Sequence, residues 1–240
     1  MSDGIGYCLA HWPNIKLTEL VQIKLGEVRS RSQAAPFLQL AQMKRGNRIP
    51  GSILLVTAFY LVAALSAAIT QKNWEFLSFN IPFFIIFVLI IAFMHKRVGF
   101  PKGLLWCLSI WGAAHLAGGL VKLPQGWAYE GTDAVLYSWW LIQDRLKYDN
   151  IIQAYGFGLM TWICWEALRA NIHNRFGRKL YPSFGPIALA ALGGMGLGAI
   201  NKIIEFFAMP NAGGYFDAGW DLVANLIGCI IASLIIAVRG

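Results

Sequence analysis

The chain has 240 residues, 57% of them hydrophobic and only 13% charged, with a mean hydropathy of +0.54. A soluble domain carries about a quarter of its residues as charges, whereas several runs here approach the roughly 20 apolar residues that cross a bilayer. The composition therefore excludes an ordinary soluble domain. The net charge of +8 sits mostly in loops between apolar runs, a pattern of membrane topology and not of nucleic-acid binding.

Met1 to Pro50 reads as a polar, basic arm. Leu17, Leu20, Val21, Leu25 and Val28 form a weak helical stripe, and Pro36-Phe37-Leu38 begins another. The arm is either an amphipathic helix lying on the inner membrane surface or a loosely ordered extension. No basic-then-apolar leader opens the chain, so the N-terminus is expected to be retained and not exported. Lys44, Arg45 and Arg48 form a basic stop before the first apolar run.

Six spans follow, making 51–240 an all-α, six-helix membrane domain. They are about Gly51–Thr70, Leu77–Met94, Gly103–Val121, Asp149–Leu168, Phe184–Phe207 and Ala218–Val238. Pro82 is tolerated near the start of the second. Gly193, Gly194, Gly196 and Gly198 in the fifth are expected to allow close helix packing; without a preceding strand or a phosphate-loop lysine they do not suggest nucleotide binding. In the long loop Lys122–Tyr148, the segment Thr132–Leu146 is expected to form an interfacial helix, because Trp and Tyr favour the headgroup level. Cys8, Cys107, Cys164 and Cys229 are dispersed and suggest neither disulfides nor a zinc site.

Orientation follows from the loops. Lys44, Arg45 and Arg48, then Lys96, Arg97 and Lys102, then Arg169, Arg175, Arg178 and Lys179, and finally Arg239 all fall on one side of a six-span chain. The opposite loops hold Lys72, Lys122, Arg145 and Lys147, offset by Glu75, Glu130, Asp133, Asp144 and Asp217. The positive-inside bias puts both termini in the cytoplasm.

That topology gathers the polar residues toward the outer side. Asp217, Asp221 and Asn225 recur every fourth residue, which on a helix spreads them over an arc of roughly 80°. Intramembrane acids are costly and by default mark a site. Asp217 and Asp221, with Glu205 from the fifth span, are expected to hold a divalent cation through hard oxygen ligands or to act as base. The plain alternative is that Asp217 caps its helix and Asp221 and Asn225 bond the bundle together. Asn201 lies one turn from Glu205, while Lys202 is close enough to neutralise that acid as an ion pair. His115, one turn before Gly118-Gly119, shares the acids' depth and is a candidate assisting group or simply a satisfied core histidine. Asp149 and Gln153 open the fourth span as candidate binding residues, Asp149 being equally an N-terminal helix cap. Glu166 beside Arg169 is explained by snorkelling or pairing near the inner end.

On His115-x-x-Gly118-Gly119, Tyr148-Asp149 and Asp217-x-x-Trp220-Asp221-x-x-x-Asn225-x-x-Gly228, the chain resembles the bacterial inner-membrane family that includes YjdF. That family has no assigned function and is in turn similar to VanZ-like proteins. The resemblance covers about Ile53 to the end and implies a multi-pass protein of the bacterial inner membrane and cell envelope; VanZ-like proteins are associated with glycopeptide resistance. Relatives usually carry a His four residues after the Tyr-Asp aspartate, where this chain has Gln153. Gln cannot transfer protons as a His would, so a ligand or hydrogen-bonding role is what survives there.

The functional expectation is an outward-facing acidic pocket that binds or processes a polar envelope component, such as a lipid headgroup or lipid-linked precursor. If it is catalytic, Asp217 and Asp221 hold the metal or act as base, with Glu205 and His115 assisting; Asp149, Gln153, Asn201 and Asn225 bind. The alternatives are a small transporter, against which the scarcity of polar residues on the inner half counts, and a structural protein whose polar cluster is interhelical glue.

Overall fold

The computed structural model describes residues 48–131, 134–208 and 215–239. The basic arm, apart from Arg48–Pro50, lies outside them, as do Thr132 and Asp133. The described chain is mostly helical. Its long helices are α1 (Gly51–Thr70), α2 (Ile81–Val98), α3 (Lys102–Leu120), α4 (Tyr148–Phe176), α5 (Phe184–Ala208) and α6 (Tyr215–Arg239).

Among the described residues, five stretches are long and apolar enough to cross a membrane: Gly51–Thr70, Phe76–Val98, Lys102–Leu120, Phe184–Phe207 and Asp217–Arg239. Helix α4 has ample length at 29 residues, but Asp149, Asn150, Gln153, Glu166 and Arg169 lower its hydropathy below theirs. Leu55, Phe59 and Val62 on α1 stay exposed, Phe59 by 73%. Water does not tolerate so continuous an apolar surface on a monomer, and lipid does.

Sequence explains several boundaries. Pro82 has no N–H, and its ring crowds the carbonyl four residues back. The turn ahead of it, Phe76–Asn80, accordingly widens to a π-helix, with the Ile81 N–H bonded to the Phe76 carbonyl. The predicted start at Leu77 thus moves to Phe76. Helices α2 and α4 end at Gly99 and Gly177, both left-handed at φ 77° and 63°. Helix α4 therefore continues to Phe176, past the predicted Leu168.

Helix α3 is the most enclosed. Its Leu104, Leu105 and Leu108 join Ile53, Leu159 and Ile163 in one core, while Leu116 and Leu120 join Ala64, Ala68 and Phe84 in a second. Helix α4 links that half to α5 and α6, where Trp165, Ala190 and Ile236 form a third. The closest approach is between α4 and α6: a methyl group on Gly228 would overlap the Ala154 carbonyl. On α5, Gly193, Gly194 and Gly198 lie against Cys164, Thr161 and Asn225, as small residues at a helix interface should. Gly196 differs from the expectation: it has open space around it, because half a turn separates it from the packed face.

The expected interfacial helix at Thr132–Leu146 is not formed by the described residues. After a single 3-10 turn at Leu136–Ser138, β1 (Trp140–Ile142) pairs antiparallel with β2 (Leu146–Lys147). Val135, Trp139, Trp140 and Ile142 favour extended backbone, and Asp144 closes the turn at φ 57°, a left-handed position Asp tolerates. Bridges Lys122–Val135 and Tyr129–Trp139 fold the rest of the loop onto this hairpin. The loop packs Tyr137 down between the helices, so that its ring fills the space beside Gly118.

Candidate functional site

At the hairpin end of the bundle, three helices and the loop converge on two lysines. Lys147, last residue of β2, is buried and places its Nζ between the carboxylates of Asp217 on α6 and Glu130 in the loop, the latter at 2.7 Å. It also lies 5.8 Å from the Trp140 ring centre. Burial alone would lower the Lys147 pKa, but hydrogen bonds and charge from Asp217 and Glu130 outweigh it and hold the amine above its ordinary value. One turn deeper, Lys202 on α5 joins Glu205 of its own helix to Asp221 of α6. Asp221 is 2% exposed. Its other oxygen accepts from Asn150 Nδ2 at 3.3 Å.

The α4 N-terminus is organised by Asn150, whose Oδ1 accepts the Lys147 backbone N–H at 3.0 Å. This is the reciprocal arm of a capping box. Asp149, read from sequence as a possible cap, makes no such bond. It has no hydrogen bond or ion pair with a described residue, yet it lies within the fields of Asp221, Lys202, Lys147 and Asp217. Among the described residues, Asp217 and Glu130 thus share one ammonium group and Asp221 and Glu205 another, with Asp149 in the field of both.

Of the other expected residues, Asn201 donates from Nδ2 to Glu205. Asn225, fully buried one turn below Asp221, leaves both amide atoms without a partner among the described residues. Gln153 is half-buried with no hydrogen bond to a described residue. His115 lies against Tyr137, whose hydroxyl lies 2.7 Å from His115 Nδ1 and donates to the His115 carbonyl at 2.6 Å. The imidazole is stacked on Trp111 with ring centres 5.0 Å apart. Burial first, then the charges of Asp149, Tyr148 and Glu205, raise the Tyr137 pKa well above that of a free phenol.

Glu166 is at the opposite end, paired with Arg169 at 3.2 Å. No group of three or more His, Cys, Asp or Glu among the described residues is arranged to hold a metal ion. The positions a cation would neutralise beside Asp217, Asp221 and Glu205 are taken by lysine ammonium groups.

Tyr137, Lys147, Asn150 and Glu130 are the residues that sequence reasoning did not place in the site. Lys147 and Glu130 read as loop charges, and Tyr137 as part of an interfacial helix. Asn150, three residues after an extended position and opening an apolar-periodic run, carried a capping signal that Asp149 drew away.

A groove of about 1520 Å³ starts beside this cluster, at Arg145, Leu146, Asn150 and Trp220, and runs between α4 and α6 to Glu166, Arg169 and Arg239. Its walls are mostly apolar, including Tyr155, Leu159, Ile227 and Ile231.

These features define a helical membrane protein with a buried charged cluster at one end. Residues 51–240 match the family described as "Predicted membrane protein (DUF2238)". The chain belongs to that family. No curated protein and no solved structure matches it.

Proposed function

We propose that this is a six-span protein of the bacterial inner membrane, with both termini cytoplasmic, that binds the polar headgroup of a cell-envelope amphiphile at the Lys147/Lys202 cluster. The sixth span in this reading is α4, in which Asn150 turns to Asp221 and Glu166 bonds Trp162 and Arg169 of the same helix. The loop charges support the orientation. The resemblance to YjdF-like and VanZ-like families supports the envelope setting.

The observation that carries the reading is the groove's start at Asn150, a residue already bonded to Asp221. A headgroup entering there comes beside the cluster, whose ammonium groups suit its anionic parts and whose carboxylates suit its hydroxyl or amino groups, while a chain lies along the apolar walls. Asp149, which has no hydrogen bond or ion pair to give up among the described residues, is the acid that would bond the ligand. A reaction on that headgroup would use Asp149 as its acid or base, with Asp217, Asp221 and Glu205 fixing the lysines and His115 acting through Tyr137. Lysine pairing makes a divalent cation unnecessary to this scheme.

A second reading has its own support. Lys147–Asp217 and Lys202–Asp221 join α6 to the hairpin and to α5, so the cluster could serve as interhelical glue alone. Asp149→Asn separates the two, since it breaks no ion pair among the described residues. Native mass spectrometry of the protein purified from bacterial membranes is expected to find an amphiphile enriched over the bulk lipids and lost in Asp149→Asn, with the melting temperature little changed. An unenriched lipid profile in the wild type, or full retention in the variant, would leave only the glue.

A further inference from the structure

The far end of the groove has a chemistry of its own, independent of the reading just given. From Asn150 to His173 the wall formed by α4 rises ~35 Å at 1.5 Å per residue, comparable to a hydrocarbon core of about 30 Å. Chains inserted from the two ends would meet near its middle. At the far end the lining includes Trp162, Glu166, Arg169, His173, Lys179 and Arg239. Glu166 is already engaged by Trp162 Nε1 and by Arg169, each at 3.2 Å. The Arg239 guanidinium lies 6.0 Å from the Trp162 ring centre. Neither Arg239 nor Lys179 pairs with a carboxylate among the described residues. The rim therefore offers one carboxylate against three permanent cations, at the mouth of an apolar channel whose Ile227, Ile231 and Ile235 are about half exposed.

We propose that this end of the groove is a binding site for an anionic phospholipid, its phosphodiester held by Lys179 and Arg239 with Arg169 beside them and an acyl chain lying along Ile235 and Ile231. A zwitterionic lipid brings its own cation to a rim with no free carboxylate, so the site discriminates by charge. Basic residues on a cytoplasmic face are common for topological reasons alone, and the experiment must separate the two roles.

The full chain in detergent is mixed with phosphatidylglycerol and phosphatidylcholine of identical chains at equal concentration, and occupancy is read by native mass spectrometry. The wild type is expected to favour phosphatidylglycerol by about tenfold, the order of effect for basic residues at an anionic surface. Lys179→Gln/Arg239→Gln is expected to bring the ratio near unity. Arg48→Gln/Lys96→Gln removes the same charge from exposed positions outside the groove and is expected to keep the preference. Ile231→Trp fills the channel and is expected to reduce occupancy by both lipids. Equal binding of the two lipids by the wild type overturns the site, as does an unchanged preference in Lys179→Gln/Arg239→Gln. Equal loss in both double variants assigns the effect to general surface charge and overturns it too. Undiminished occupancy in Ile231→Trp, or displacement of the lipid by equimolar glycerophosphate, shows a headgroup bound without its chain and refutes the groove.

Discussion

Replacing Lys202 by methionine keeps the length of the side chain and removes the one cation that Asp221 and Glu205 share among the described residues. Glu205 is partly exposed and recovers water, so its loss counts for little. Asp221, at 2% exposure, cannot. Leaving one member of a buried pair uncompensated costs about 3–5 kcal/mol. Asp221 keeps the Asn150 Nδ2 bond at 3.3 Å, which places the expected loss toward the low end, about 3 kcal/mol. For a chain of this size about 2–4 °C of melting temperature accompanies each kcal/mol, so Lys202→Met should melt roughly 6–12 °C below the wild type. The ten tryptophans provide the signal for a fluorescence-monitored melt in detergent. Combining Lys202→Met with Asp221→Leu, which removes the stranded charge, should recover most of the loss, because a hydrophobic replacement of a whole buried pair is often neutral. A drop under about 2 °C in the single variant, or strict additivity in the double-mutant cycle, would refute the claim that these two side chains hold α5 to α6.

Two further outcomes follow from the geometry. Gly228→Ala should destabilise by about 1–3 kcal/mol, since the added methyl group overlaps the Ala154 carbonyl and α4 and α6 must part; Gly196→Ala, with open space around it, should be neutral or gain up to about 1 kcal/mol of helix propensity. Equal melting temperatures for the two variants would place the α4–α6 contact elsewhere. Lys147 holds its proton above the ordinary lysine value in the folded chain. Its contribution is therefore fully present below the unfolded lysine pKa of about 10.4 and lost as pH rises through the folded value. Melting curves from neutral pH upward should fall more steeply above that point for the wild type than for Lys147→Met, and parallel curves would contradict the pairing.

Much of the architecture could be read from the residues because bilayer physics is written in length and hydropathy. The apolar runs beginning at Gly51, Phe76, Lys102, Phe184 and Asp217 announce themselves that way. Helix α4 stands out less: its acids and amides make it the least apolar of the long helices, although the sequence still places a span at about Asp149–Leu168. The Thr132–Leu146 segment misled because Trp and Tyr serve both a membrane-surface helix and a strand. Pairing with a partner strand and the left-handed Asp144 chose the strand, and neither is a local property.

The residue chemistry at the hairpin end divides the same way. Four-residue spacing was enough to put Asp217, Asp221 and Asn225 on one helical face, since periodicity belongs to the helix itself. That Lys147 and Lys202 come from β2 and α5 to meet those acids, that Asn150 rather than Asp149 closes the helix start, and that Tyr137 stands between His115 and the cluster were decided by packing. Ion pairs and hydrogen bonds act over a few ångströms between residues 19 to 71 positions apart, and separation along the chain carries no information about that distance.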